Sequence, residues 1–242
     1  MPPRDETSRN LTRRVIIALD TPDLARAERL MDALGDRPGY YKVGLELFTA
    51  EGPAAVRAVR DRGHRVFLDL KLHDIPETVA RATRAVARLG VELVTVHAAG
   101  GPAMLQAAAA AAQEGADGAG YAPALLGVTI LTSLDRADLD AVGLAPGRPV
   151  NDVVVDLGRM AVDSGCGGLI AAGSDARALR AAVGPDARIV TPGVRPVWAG
   201  AHDQKRIVTP AAALAAGADY VVVGRAVTAA PDPAGAFDRL ME

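Results

Sequence analysis

The chain has 242 residues, half of them hydrophobic, and 27 basic against 29 acidic side chains give it a formal charge of -2 at pH 7. This excludes a disordered chain and allows a sizeable core; apolar runs such as the alanine tract 107–112 fall far short of the roughly 20 residues of a membrane-spanning helix. Aromatics at 3% and the lack of a long single-sign charge block argue against the basic stripes and stacking platforms of a nucleic-acid surface.

The expected partner is therefore a small molecule, with neither nucleic acid nor membrane involved. Residues 1–12 are charged where a secretory signal would be apolar, and they read as a flexible N-terminal arm of a cytoplasmic protein. Taken in chain order, short β-branched or apolar runs recur at 15–20, 41–44, 65–70, 93–97, 125–129, 168–171, 188–190 and 220–223. Between them lie Ala/Leu/Arg segments with helical spacing. Gly63, Gly90, Gly165 and Gly217 stand where a helix would end just before the next strand. Eight units averaging about 30 residues match the minimal βα repeat, and no Pro/Ser-rich linker divides them. The pattern predicts a single (β/α)8 TIM barrel over 13–242. A doubly wound open sheet shares the local pattern, but it usually has fewer strands and often a Gly-rich first turn. The first turn here is Asp20-Thr-Pro-Asp23.

In such a barrel the active site lies at the C-terminal ends of the strands, and phosphate sites favour the loops after the seventh and eighth. Those ends carry Asp20, Lys42, Asp69, Lys71 with Asp74, His97, Thr129 with Thr132, Gly193 with Arg195, and Gly224 with Arg225. Charges at the ends of apolar strands are costly to bury unless paired, so their convergence on one rim points to a site. Only three of the 27 basic residues are lysines: Lys42, Lys71 and Lys205. A lysine is a compact charge that can release a proton where an arginine cannot.

Strand period two places Asp69 and Lys71 on one face, with Leu68 and Leu70 on the other. A salt bridge in the barrel interior would account for that pair equally well. Asp74-Ile-Pro-Glu77 also fits a helix N-cap with proline in the first turn and a capping-box glutamate. With Lys42 at the neighbouring strand end, the four groups form a possible Lys/Asp/Lys/Asp alternation that keeps lysine charged. His97 reads as a hydrogen-bonded structural histidine in preference to a base. His64, His73 and His202 show no metal-ligand spacing, and a lone Cys166 makes no internal disulfide. Between Pro192 and Thr209 lies a long connection of the kind that forms lids, with Trp198 either packing in it or merely exposed.

The segments Ala18-Leu-Asp20, Tyr41-Lys-Val-Gly44, Phe67-Leu-Asp-Leu-Lys-Leu-His-Asp-Ile-Pro76, Val128-Thr-Ile-Leu-Thr-Ser133, Thr191-Pro-Gly-Val-Arg195, Asp203-Gln-Lys-Arg206 and Val223-Gly-Arg225 together resemble the shorter bacterial orotidine 5'-phosphate decarboxylases over nearly the whole chain. The resemblance implies conversion of orotidine monophosphate to uridine monophosphate, the last step of pyrimidine nucleotide synthesis, on a homodimeric barrel without metal or organic cofactor. It makes Lys71 the proton donor, with Asp69 and Lys42 completing the charged array and Asp74 and Thr78 entering the partner subunit's site. Asp20 and Lys42 would bind the ribose, Thr132 the pyrimidine edge, and Arg195, Gln204, Gly224 and Arg225 the phosphate end. Related sugar-phosphate lyases share an Asp-x-Lys-x-x-Asp strand but hold magnesium with the carboxylates, and a catalytically silent phosphate-binding barrel is the reading outside enzymes.

Overall fold

The computed structural model describes residues 11–118, 120–196, 198 and 208–240. Its strands are β1 (Val15–Ala18), β2 (Tyr40–Gly44), β3 (Arg65–Leu72), β4 (Leu93–His97), β5 (Ala124–Val128), β6 (Gly168–Ile170), β7 (Arg188–Thr191) and β8 (Tyr220–Val223). Each pairs in parallel with the next, and β8 returns to β1 with Ile16 opposite Val222, so the sheet closes into a barrel. Helices lie between the strands, which makes the molecule the (β/α)8 barrel expected from its sequence.

Closure requires strands that are apolar on both faces, because one face lines the interior and the other meets the helices. Ile16 and Ala18 point inward with Tyr40, Phe67, Leu93, Leu126, Val128, Ile170, Val190 and Val222. Val15, Ile17 and Leu19 join the outer layer with Tyr41, Val43, Val66, Leu68 and helix residues such as Leu30, Val56 and Leu105. Gly63, Gly90, Gly165 and Gly217 all have positive φ, from 70° to 107°, the left-handed conformation that lets a chain leave a helix and start a strand.

The strand limits differ from expectation where the chain turns toward the rim. β1 ends at Ala18, although the Leu19 N–H still bonds the Lys42 carbonyl at 2.9 Å; Asp20 therefore stands beyond the strand with its side chain able to turn toward β2. β3 runs on to Leu72, but its register against β4 jumps between Leu68 and Leu72. At the other end of the chain, Thr12 is buried and its carbonyl accepts the Gly39 N–H at 3.1 Å. Ordered packing thus begins before residue 13, and residues 1–10 lie outside the described residues.

The N-cap expected at Asp74 does not form. The helix after β3 spans Pro76–Ala87 with Ile75 at the cap position and no side-chain cap bond. Asp74 sits one residue too early, and its Oδ1 accepts the Ile75 N–H at 2.6 Å instead. Glu77 likewise turns to Arg81, four residues on, at 2.7 Å. Among the described residues no helix is long and apolar enough to cross a membrane.

Candidate active site at the C-terminal rim

The ends of β1, β2 and β3 bring four of the expected residues into one line. Lys42 Nζ donates to Asp20 Oδ1 at 2.9 Å and lies 3.7 Å from Asp69 Oδ2. On the other side of Asp69, Lys71 Nζ is 2.8 Å from both carboxylate oxygens. Lys42 and Asp69 are buried, each about 9% exposed, while Lys71 reaches into the open space above them. Burial alone would push the Asp69 carboxyl up. The Lys42 and Lys71 ammonium groups outweigh it, with hydrogen bonds from Lys71 and Thr95, and hold it below the ordinary carboxylate range. The result is a carboxylate fixed in its charged state between two ammonium groups, of which one faces the cavity.

Two members of this arrangement carry no charge and were missed in the sequence. Thr95, from β4, is fully buried; its hydroxyl donates to Asp69 Oδ1 at 2.9 Å and accepts the Lys71 N–H at 2.8 Å. Its signal was a lone hydroxyl at the inward position between Leu93 and His97. Gly44 closes β2, and a β-carbon there would stand 2.7 Å from Lys42 Nζ and 3.0 Å from Asp20 Oδ1. Apart from its place in the Tyr41-Lys-Val-Gly44 segment, nothing in the sequence distinguishes that glycine from a routine turn residue.

Above the array lies a cavity of about 370 Å³, within the range of small-ligand sites. Its floor is apolar, with Phe67, Val128, Ile170 and Val222, and Thr132 stands on one wall. On the side away from Lys71 it is bounded by Gly193, Arg195, Gly224 and Arg225 from the ends of β7 and β8. A ligand spanning it would meet an ammonium at one end, an apolar surface in the middle and two arginines at the other. The base of the following connection is fixed, since the Arg195 N–H bonds the Val208 carbonyl at 3.0 Å. Gln204 lies outside the described residues.

Asp74 and Thr78 are not brought to this cavity within the one chain; both are exposed in the segment leaving β3, beside an Ile75 that is 66% exposed. His97 packs its ring against His73 at 5.2 Å, a ring contact in place of the expected hydrogen bond. Burial, with His73 and Lys71 nearby, lowers its pKa and keeps it neutral at pH 7. Trp198 is 39% exposed and lies under the Arg239 guanidinium at 4.5 Å, so it packs and is partly exposed at once.

A larger hollow of about 730 Å³ opens at the opposite mouth of the barrel, lined by Tyr40, Arg65, Glu92, Tyr121 and Arg188 among others. Its polar groups serve one another: Glu92 accepts from the Val66 N–H and the Tyr121 hydroxyl, and Arg65 lies over the Tyr40 ring at 3.9 Å. No set of reactive groups converges there, and the chemistry belongs to the smaller cavity.

The chain is also similar to known proteins over nearly its whole length. The model of the orotidine 5'-phosphate decarboxylase / HUMPS family matches residues 13–240. A protein of Moorella thermoacetica named orotidine 5'-phosphate decarboxylase is 54% identical over 225 residues, covering 92% of this chain and 88% of its own. Its namesake from Paramagnetospirillum magneticum is 50% identical, covering 93% and 96%. Among solved structures, orotidine 5'-phosphate decarboxylase from Lactobacillus acidophilus superposes with a TM-score of 0.82 at 35% identity, over 93% of this chain and 96% of that one.

Proposed function

The chain belongs to the orotidine 5'-phosphate decarboxylase / HUMPS family, and from that premise we propose how its side chains carry out the family's named reaction. The activity is the decarboxylation of orotidine 5'-phosphate to uridine 5'-phosphate and carbon dioxide, in pyrimidine nucleotide biosynthesis. The bond from C6 of the pyrimidine to its carboxylate breaks, carbon dioxide leaves, and the electron pair stays on C6, where the ring offers no adjacent sink. Lys71 supplies a fixed positive charge beside that carbon and then its proton, combining electrostatic stabilisation with general acid catalysis. The neutral amine regains a proton from water.

The observation that carries this reading is the Lys71 ammonium held at 2.8 Å by both oxygens of Asp69 at the edge of the apolar-floored cavity. Asp69 holds and aims it, and Lys42 helps keep Asp69 charged. Asp20 and Lys42 bind the ribose hydroxyls, Thr132 the pyrimidine edge, and Arg195, Arg225, Gln204 and the Gly224 backbone the phosphate. The phosphate contacts are charge-assisted and bidentate where arginine makes them.

The same proposal includes a cytoplasmic homodimer in which Asp74 and Thr78 of each subunit complete the other's site. Their exposure beside Ile75, and the absence of any capping duty at Asp74, support it.

The deciding assay follows the loss of orotidine 5'-phosphate absorbance with and without a chelator, in the wild type and in Lys71→Ala. Turnover should survive the chelator and be abolished in the variant. Activity lost to the chelator would favour the metal-dependent sugar-phosphate lyases instead, and substantial activity in Lys71→Ala would overturn the role of that lysine.

A further inference from the structure

We infer that Thr95 is the positioning residue of the proton donor: its single hydroxyl sets both the backbone of Lys71 and the carboxylate that holds the Lys71 ammonium. The inference rests on the decarboxylase reading above and adds a residue to it. Between the pairs Leu68/Val94 and Leu72/Val96, three residues of β3 stand against Thr95 alone. The two outer ones, Asp69 and Lys71, are the carboxylate and the donor. Lys71 has φ +49°, a left-handed conformation that side chains other than glycine rarely take. Such a conformation persists only where the surroundings over-determine it.

Thr95 supplies that constraint. In the jumped register the Lys71 N–H bonds the Thr95 Oγ1 at 2.8 Å in place of a strand carbonyl, and the same oxygen gives its one proton to Asp69 Oδ1 at 2.9 Å. A hydroxyl has one donor and can accept through its lone pairs, so both directions are fixed at once. Thr95 is 0% exposed, and bulk water cannot stand in for it. As a β-branched residue it is also stiff at χ1. Backbone and carboxylate of the Asp69–Lys71 pair are thus referenced to one atom on a neighbouring strand. Loss of that atom leaves the ion pair intact but free to settle elsewhere, and misplacement of a reacting group by about 1 Å costs on the order of a hundredfold in rate.

Thr95→Val keeps the shape and removes the hydroxyl. Its kcat should fall about tenfold to a hundredfold, with KM for orotidine 5'-phosphate and binding of uridine 5'-phosphate nearly unchanged. Thr95→Ser, which restores the hydroxyl, should recover most of kcat. Should the valine variant not fold, Thr95→Cys, close in size but a weak hydrogen-bonding group, takes its place and should fall between serine and no bond at all. Variants with wild-type kcat per folded molecule and only a lower Tm would overturn the inference, since a purely structural threonine behaves that way. A wild-type protein that does not turn over orotidine 5'-phosphate would bring down the proposed function instead, so the two failures are separable.

Discussion

Asp69 is a single carboxylate held between two ammonium groups, and its charge links the site to stability. Its folded pKa lies below the ordinary aspartate value, so the stabilisation it contributes is complete above about pH 4, where the unfolded residue is also ionised. It is lost as pH falls below that value toward the folded pKa. The wild type should therefore lose more Tm between about pH 5 and pH 3 than Asp69→Asn, which cannot titrate there; parallel melting curves of the two would show the assignment to be mistaken. Gly44 makes a second point at this scale. Its φ of -98° and ψ of -173° suit any residue, so Gly44→Ala should fold. The new methyl must displace the far end of Lys42, which is cheap for the fold and costly for the site. We expect KM for orotidine 5'-phosphate to rise about tenfold with Tm little altered, measured by the absorbance assay beside a thermal melt.

The elements divide the work between them. β1 to β4 present the charged array, while the ends of β7 and β8 face it across the apolar floor with Arg195 and Arg225. Arg225→Ala removes a charge-assisted contact of about 1.5 to 3 kcal/mol from the second group and leaves the first untouched. It should lower kcat/KM for orotidine 5'-phosphate by about tenfold to a hundredfold, while a substrate analogue lacking the phosphate reacts equally slowly with both proteins. An equal loss for the analogue would mean that Arg225 does not meet the phosphate. The connection beyond β7 is anchored where Val208 bonds Arg195 and packs against Gly173, at which a β-carbon would collide with the Val208 side chain. The bond brings the start and the end of the connection together at Arg195.

At the scale of the molecule, one chain does not bring Asp74 to its own Lys71. The segment leaving β3 and the first turn of the helix beginning at Pro76 leave Asp74, Ile75 and Thr78 exposed, and a large aliphatic side chain is left in water there. An apolar residue so placed is what a subunit contact would cover. Two inactive homodimers, Lys71→Ala and Asp74→Asn, should regain activity when their subunits exchange, because one site of the heterodimer then carries neither lesion. Exchange demonstrated without recovery would mean that Asp74 acts within its own chain. Asp74→Asn should in any case leave Tm nearly unchanged, since the carboxylate caps nothing.

The barrel was legible in the sequence, because eight apolar runs at a βα spacing leave few other ways to bury both faces of every strand; strand-end position then offered Asp20, Lys42, Asp69, Lys71, Thr132, Arg195 and Arg225 together with Asp74, His97, Thr129, Gly193 and Gly224, and the family resemblance assigned roles among them. Period two also placed Leu68, Asp69 and Leu70 on their correct faces. It held for Lys71 as well, which lines the cavity beside Asp69, but it could not announce the left-handed backbone there, because a jump in register is a property of two strands together. The cap at Asp74 failed by one residue, since proline fixes where a helix can begin but the neighbouring packing decides where it does. The role of Thr95 was hidden for the same reason: it consists of a hydroxyl next to residues distant in the chain, and only the closed barrel brings it within 3 Å of Asp69 and Lys71; at Gly44 the role is an empty volume that a β-carbon would fill against Lys42 and Asp20, which periodicity does not register.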